Sequence, residues 1–252
     1  KLLLCSLLLL PLSLPAQKGK NKGKNPDNEF YLLYDRNWQR CEADSAYYMA
    51  YVQKKDDTTY QWNNYRYTGP LISVETYRDE AGNIPNGYFA FFDARGIIDS
   101  AGSTLGGRKH GSWYYYNDTL GVDKEDKYEN GRLTERIFAA DRKRDTTHYP
   151  DDREAHFTAS GDEKDWRKYI EKSLKFPDRA TNLGKGGSVY VSFVIAPDGK
   201  VKDIRIVRSA EFSLDKEAVR VIASSPDWIP ASQHGRNVNA YRRQPFTFAP
   251  PQ

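Results

Sequence analysis

Hydrophobic and polar residues follow two rhythms along this chain. Between residues 29 and 140, aromatic residues recur at every second position and glycines break the runs, the mark of strands joined by tight turns. Phe89 and Phe91 face one way in one run, as Trp113 and Tyr115 do in another. Further on, Val189, Val191, Phe193 and Ile195 alternate along one strand face. Pro197, Asp198 and Gly199 then supply a turn, because proline pre-sets φ and glycine accepts a positive one. Ile204 and Ile206 alternate in the return strand. Val201 is out of phase with Ile204, which predicts a bulge near Asp203.

The rhythm changes to helical spacing in two places. Leu214, Ala218, Val221 and Ile222 form one stripe, with Ser213 expected as the N-cap and Asp215 and Glu217 in the first turn. Earlier, residues 160–163 read Ser-Gly-Asp-Glu, a capping box. It opens a helix that carries Trp166, Tyr169, Ile170 and Leu174 on one face and stops at Phe176-Pro177. Tyr190 and Val194 lie on the second face of their strand, where the helices are expected to pack. Val238, Ala240, Phe246 and Phe248 predict a last strand. Pro245 lacks an N–H, so that strand is expected on a sheet edge or with a bulge.

An internal repeat runs through the aromatic region. Residues 86–93 (Asn-Gly-Tyr-Phe-Ala-Phe-Phe-Asp) align with residues 110–117 (His-Gly-Ser-Trp-Tyr-Tyr-Tyr-Asn) at an offset of 24. Gly82 aligns with Gly106 and Gly107 with Gly131 at the same offset, whereas Gly121 answers Gly96 only with one extra residue. Stacked supersecondary units of this length need neighbours to bury their faces. The aromatic stripes read first as packing between hairpins, and second as a partner-binding surface. Arg132 to Ser160 is charged and proline-punctuated and reads as the inter-domain connection, after one more strand at 134–139.

Composition narrows the function. With 38 basic and 34 acidic residues the net charge is only +4, too balanced for a nucleic-acid binder. Residues 2–16 are almost wholly apolar behind Lys1, but short for a membrane span of about 20 residues. They read as a secretory signal peptide cut after Ala16, with an uncleaved membrane anchor as the alternative. Cys5 sits inside that run among leucines and makes a poor lipid-attachment site. Cys41 is then the one cysteine of the mature chain, which excludes an internal disulfide and a cysteine metal cluster, and it is expected to be buried and inert. His110, His148, His156 and His234 lie in separate segments without ligand spacing. Residues 184–188 (Gly-Lys-Gly-Gly-Ser) lack phosphate-loop spacing and precede a strand. No nucleophile–base pair is visible, so neither an enzyme nor a cofactor is expected.

The C-terminal run resembles the C-terminal domain of the TonB energy-transducer family. The resemblance rests on Phe176-Pro177 with Ala180, the 187–195 strand, and residues 197–201 (Pro-Asp-Gly-Lys-Val). It continues through Ser209, Leu214-Asp215 with Ala218, Trp228 with Pro230, Gly235, and residues 245–248 (Pro-Phe-Thr-Phe). It implies a small periplasmic domain that contacts the periplasmic face of outer-membrane TonB-dependent receptors. A receptor peptide would add as a strand beside Val238, Asn239, Ala240, Tyr241, Arg242, Arg243 and Gln244. Arg242 and Arg243 would pair with acidic residues of that partner, or else stand as solvated guards of the edge. The aromatic units resemble the MORN-type repeat (Gly-x-Trp-x-Tyr-Tyr, then Gly), which implies a β-meander.

The expected architecture is therefore α+β. A signal peptide (1–16) and a flexible basic linker (17–28) precede an antiparallel meander of MORN-like repeats (29–140). A linker (141–154) leads to a TonB-like α/β domain (155–252) with a small antiparallel sheet and two helices. The expected function is a periplasmic TonB-like protein that docks on outer-membrane receptors by edge-strand pairing and takes part in transmembrane transport. The alternative is a periplasmic or surface scaffold whose repeats bind a glycan, lipid or protein and whose last domain is an assembly module. An inner-membrane proton-channel complex is in doubt as a partner, because neither a full membrane helix nor a proline-rich spacer is visible. An inner-membrane anchor facing the periplasm and a homodimer stay open.

Overall fold

The computed structural model describes residues 28–142, 152–158, 161 and 163–250. The expected signal peptide, nearly all of the basic linker, Ser160 of the expected capping box and most of the 141–154 linker lie outside the described residues.

The period-two aromatic region folds into nine antiparallel strands. They are β1 (Glu29–Tyr34), β2 (Tyr48–Asp56), β3 (Thr59–Arg66), β4 (Leu71–Tyr77), β5 (Pro85–Phe92), β6 (Ile98–Leu105), β7 (Arg108–Tyr116), β8 (Val122–Glu129) and β9 (Arg132–Phe138). Each pairs with its sequence neighbours, so the sheet is a meander in chain order. The two repeat segments fall on β5 and β7. Their turns match at the 24-residue offset without an insertion. Asp93 Oδ1 accepts from the N–H groups of Arg95 and Ile97, and Asn117 Oδ1 accepts from those of Thr119 and Gly121. Leu120 therefore occupies the place of Gly96, and both have positive φ, 63° and 77°. Sequence alignment on glycine alone misplaces this unit, because Leu120 takes a backbone conformation that usually selects glycine.

The stripe of Phe89, Phe91, Trp113 and Tyr115 is mostly packing. Phe89 and Trp113 are buried, and the Lys109 ammonium lies 4.1 Å from the centre of the Trp113 ring. Trp113 lies over Gly102, where a Cβ would stand 2.4 Å from the indole.

The C-terminal domain holds α1 (Glu163–Ser173), α2 (Asp178–Asn182), β10 (Gly187–Ile195), β11 (Val201–Arg208), α3 (Phe212–Ala223), β12 (Ala231–Gln233), β13 (Arg236–Val238) and β14 (Ala240–Phe248). The expected pair of helices is joined by the short α2, and the tail carries an extra hairpin, β12–β13. The main sheet has three antiparallel strands in the order β11-β10-β14. The bulge lies where expected: the β10–β11 register shifts opposite Asp203, whose φ is 51°. Val189, Val191, Phe193 and Ile195 pack against Leu214, Ala218, Val221 and Ile222 of α3, and Trp166, Tyr169 and Ile170 of α1, with Leu174 just after it, close the same core. The cap of α3 differs from expectation. Glu211 is the N-cap, and its carboxylate accepts from the backbone N–H (2.7 Å) and hydroxyl (2.5 Å) of Ser213.

The second face of this sheet corrects another expectation. Helices cover the odd-numbered face of β10, whereas Tyr190 packs on the meander together with Ile206, Val207 and Phe212. Phe212 is met by the rings of Tyr31, Tyr51 and Tyr65 at 5.6, 5.1 and 5.4 Å. Edge-to-face contacts of this kind suit the aromatic quadrupole. The two domains therefore share one apolar core.

A polar pin crosses the same junction. Asp215 is fully buried, and its carboxylate accepts from the Ser209 hydroxyl (2.6 Å), the Tyr65 hydroxyl (3.2 Å) and the Ala210 N–H (3.2 Å). The Leu71 N–H of the meander donates to Ser209 Oγ at 2.8 Å. Beside it, buried Glu211 pairs with Arg179 at 2.7 Å, and the Arg179 guanidinium also donates to the Tyr67 carbonyl.

Candidate docking edge

Both outer strands of the three-stranded sheet, β11 and β14, lack a further strand beside them among the described residues, but the end of β11 is held by the meander. On the β11 side, Arg208 forms a bridge with Ile97, and the Ser209 N–H donates to the Gly96 carbonyl at 2.8 Å. A Cβ on Gly96 would stand 2.4 Å from the Ser209 carbonyl oxygen, so the turn between β5 and β6 sits hard against that strand end. On the other side, β14 pairs with β10 without a register break from Ala240↔Ile195 to Phe248↔Gly187. No strand lies beyond it among the described residues.

Pro245 explains how the edge is oriented. It pairs with Tyr190 inside an unbroken strand. A proline at a bonded ladder position would leave a partner carbonyl without a donor. Its own carbonyl is taken by the Gln244 side-chain amide at 2.7 Å. Antiparallel pairs alternate between bonded and non-bonded, so the main-chain groups of Tyr241, Arg243 and Thr247 turn outward. The expected proline-bearing edge strand is thus present, and it carries no bulge.

The seven expected contact residues divide. Val238 belongs to β13, opposite Ala231, and Asn239 lies between strands. Neither is on the open edge, because the chain makes the β12–β13 hairpin before it enters the sheet. Ala240 is buried in the core, and Tyr241 is 81% exposed. Arg242 points to the helical side, where its guanidinium donates to the Ala155 carbonyl and its Nε is buried without a partner. Arg243 points to the meander side and donates from Nη2 to the Leu120 carbonyl at 3.0 Å. Gln244 Oε1 accepts from Trp166 Nε1 at 2.7 Å. Each of the two arginines is therefore tied by one hydrogen bond to a different part of the chain.

Two features of this site escaped the sequence reading. Thr247 extends the outward row, and its alternation with Phe246 and Phe248 carried the signal. The Arg243–Leu120 contact spans 123 positions and left no local trace. Cys41 is half-buried rather than buried, and it is a free thiol. The described residues contain no metal-ligating cluster and no helix long and apolar enough to cross a membrane.

Residues 172–250 match the family described as the Gram-negative bacterial TonB protein C-terminal. Two solution structures of a Helicobacter pylori TonB C-terminal domain are similar. One, of residues 179–285, is 24% identical, covers 34% of this chain and 78% of its own, and has a TM-score of 0.28. The other, of residues 194–285, is 25% identical, covers 34% and 90%, and has a TM-score of 0.27. No curated protein matches the chain. The chain carries a TonB-like C-terminal domain, and the matched stretch begins well after the meander.

Proposed function

We propose that this protein is exported to the periplasm and docks on outer-membrane TonB-dependent receptors, where it takes part in transmembrane transport. A receptor segment would lie antiparallel or parallel along the outer side of β14 and complete its main-chain hydrogen bonds. The observation that carries this reading is β14 itself: no strand lies beside it among the described residues, and it ends its ladder at Tyr241, Arg243 and Thr247, whereas the end of β11 is bridged to the meander at Arg208. The family match at residues 172–250 supports the receptor as partner. The apolar segment 2–16 supports export. We read the meander as MORN-type repeats, supported by the identical turn bonding of its 24-residue units. Its role here is to hold one face of the TonB-like sheet. Binding and not catalysis is the activity we assign.

The test captures detergent-solubilised outer-membrane receptors on the whole purified chain and on its Tyr241→Pro variant. The substituted N–H faces outward, so the β10 ladder stays intact and the circular dichroism should be unchanged. Receptor capture should fall at least tenfold. Undiminished capture by a folded variant would remove β14 as the docking edge.

A further inference from the structure

Three turns of the meander share one construction, and one of them ends in the open. Asp93 and Asn117 each hold the N–H groups two and four residues on, and Asp35 does the same. Asp35 Oδ1 accepts from the N–H groups of Asn37 (2.8 Å) and Gln39 (3.0 Å). Asp35 N–H donates to the Gln39 carbonyl at 2.9 Å and Trp38 N–H to the Asp35 carbonyl at 3.2 Å, the same bonds that close the sister turns. The fourth residue of each turn has a positive φ: 77° at Gly96, 63° at Leu120 and 59° at Trp38. Gly96 lies against the Ser209 carbonyl, and Leu120 is buried in the core shared by the two domains. Trp38, by contrast, is 45% exposed. A bulky side chain at a left-handed backbone position is an outlier, and such strain collects at binding sites. Burial offsets it at Leu120, whereas Trp38 keeps nearly half of its surface in solvent.

The indole is nevertheless held in place. It stacks on the Tyr48 ring at 4.1 Å and 10°, and meets the Tyr34 ring at 5.6 Å. Tyr34, Tyr48 and Arg66 stand side by side in register on β1, β2 and β3. Their face is the one opposite Met49, Tyr51 and Tyr65, which meet the C-terminal domain, because strand side chains alternate. One side of the indole is therefore backed by tyrosine and the other is turned to solvent, on the free face of the meander. Guanidinium groups flank the rings. Arg40 lies over Tyr34 at 5.4 Å, and Arg36 over Tyr47 at 5.0 Å, with Tyr47 edge-on to Tyr48. Among the described residues no carboxylate pairs with Arg36, Arg40 or Arg66. The amides of Asn37 and Gln39 are exposed on the same turn.

Shape and charge define the occupant. Segment 35–47 carries three carboxylates and two arginines, and Arg66 brings the platform to balance, so nothing draws it to an anionic surface or polymer. Two part-exposed rings, Trp38 and Tyr47, fall far short of the roughly 800 Å² per partner of a stable protein interface. A fixed flat ring edged by planar hydrogen-bonding groups suits a pyranose with equatorial substituents. Its C–H face lies flat on the indole. Its hydroxyls accept from guanidinium and amide N–H groups and donate to the amide oxygens of Asn37 and Gln39.

We propose that Trp38 is the stacking platform of a glycan-binding site, which takes a chain of equatorially substituted pyranoses and bonds their hydroxyls through Arg36, Asn37, Gln39 and Arg40. The site stands apart from β14 and does not rest on the docking reading above.

The experiment titrates the isotope-labelled whole chain with two soluble hexasaccharides, cellohexaose and N-acetylchitohexaose. Of the five indole N–H signals, the one missing from the Trp38→Gly variant should move with at least one of them. Glycine accepts the φ of this position without strain, so that variant should fold with an undiminished thermal midpoint. It should bind about tenfold more weakly, the scale of one lost aromatic stacking contact. Trp38→Phe, which keeps a ring, should retain most of the affinity, and Tyr241→Pro should bind the sugar as the unchanged chain does. A Trp38 signal unmoved by both sugars would overturn the proposal, as would equal binding by folded Trp38→Gly. Trp38→Phe binding no better than Trp38→Gly would overturn the stacking role. Loss of receptor capture by Trp38→Gly, with no response to either sugar, would overturn the glycan and give the platform to a protein partner.

Discussion

Asp215 shows how one side chain serves the junction of the two domains. Its carboxylate is buried, and desolvation raises its pKa from 3.8 to about 7 despite the donors from Ser209, Ala210 and Tyr65; neighbouring Glu211 pushes the same way. Burial also raises the Tyr65 phenol far above its usual range, with Asp215 adding to the effect, so Tyr65 remains a donor. The sign follows from proton binding. Between about pH 4 and pH 7 the folded chain keeps a proton that the unfolded chain gives up, so stability falls as pH rises through that window and then levels. Asp215→Asn should flatten this slope in urea titrations run from pH 4 to pH 8. An unchanged slope would move the effect to another group. Gly199 is a second residue-scale case. Its φ is 84°, and a Cβ would stand 2.2 Å from the Trp228 carbonyl oxygen. Gly199→Ala should therefore lower stability by about 2 kcal/mol or more, from the strained φ and the displaced Trp228 segment together, read as a fall in the thermal midpoint.

At the scale of the element, β14 has two different sides along one strand. Its even residues bond to β10, and Phe246 and Phe248 are buried in the core. Its odd residues leave their main-chain groups to the outside. Proline substitution should separate the two sides. Arg242→Pro removes a donor from the β10 ladder and should cost about 3 kcal/mol or more, visible as a lowered denaturation midpoint. Tyr241→Pro should leave that midpoint almost unchanged. Similar losses from both variants would mean that the bonded and free positions are assigned the wrong way round.

The whole molecule behaves as two domains sharing a core. Phe212 sits on α3, yet its neighbours Tyr31, Tyr51 and Tyr65 belong to the meander. Phe212→Ala should cost about 3–5 kcal/mol, the range for a large buried aromatic. It should also split a single calorimetric transition into two, because the main apolar link between the domains is lost. A single transition that merely shifts downward would show that the remaining contacts, Leu71 to Ser209 and Arg179 to Tyr67 among them, suffice to couple the halves. For the same reason the C-terminal domain cut away from the meander should expose Tyr190, Val207 and Phe212 and bind a hydrophobic dye, which the whole chain should not.

Period-two alternation was enough to place the repeat strands β5 and β7, the buried face of β10, and the strand that ends in Phe246 and Phe248, because a strand's side chains must alternate between core and solvent. Pro245 placed that strand at an edge for an equally local reason, its missing N–H. The bulge at Asp203 and the stripe of α3 were legible in the same way. What local pattern did not contain is the second face of the small sheet. Tyr190 and Val207 are as compatible with helices as with a meander, since apolar surface has no direction. Likewise, nothing near Arg242 or Arg243 tells which carbonyl each will meet, and Leu120 reads as an ordinary leucine until its turn is closed by Asn117. The tertiary structure decided these, because the contacts of Tyr190, Arg242 and Arg243 join positions far apart in the chain, 87 for Arg242 with Ala155 and 123 for Arg243 with Leu120, which no local pattern encodes.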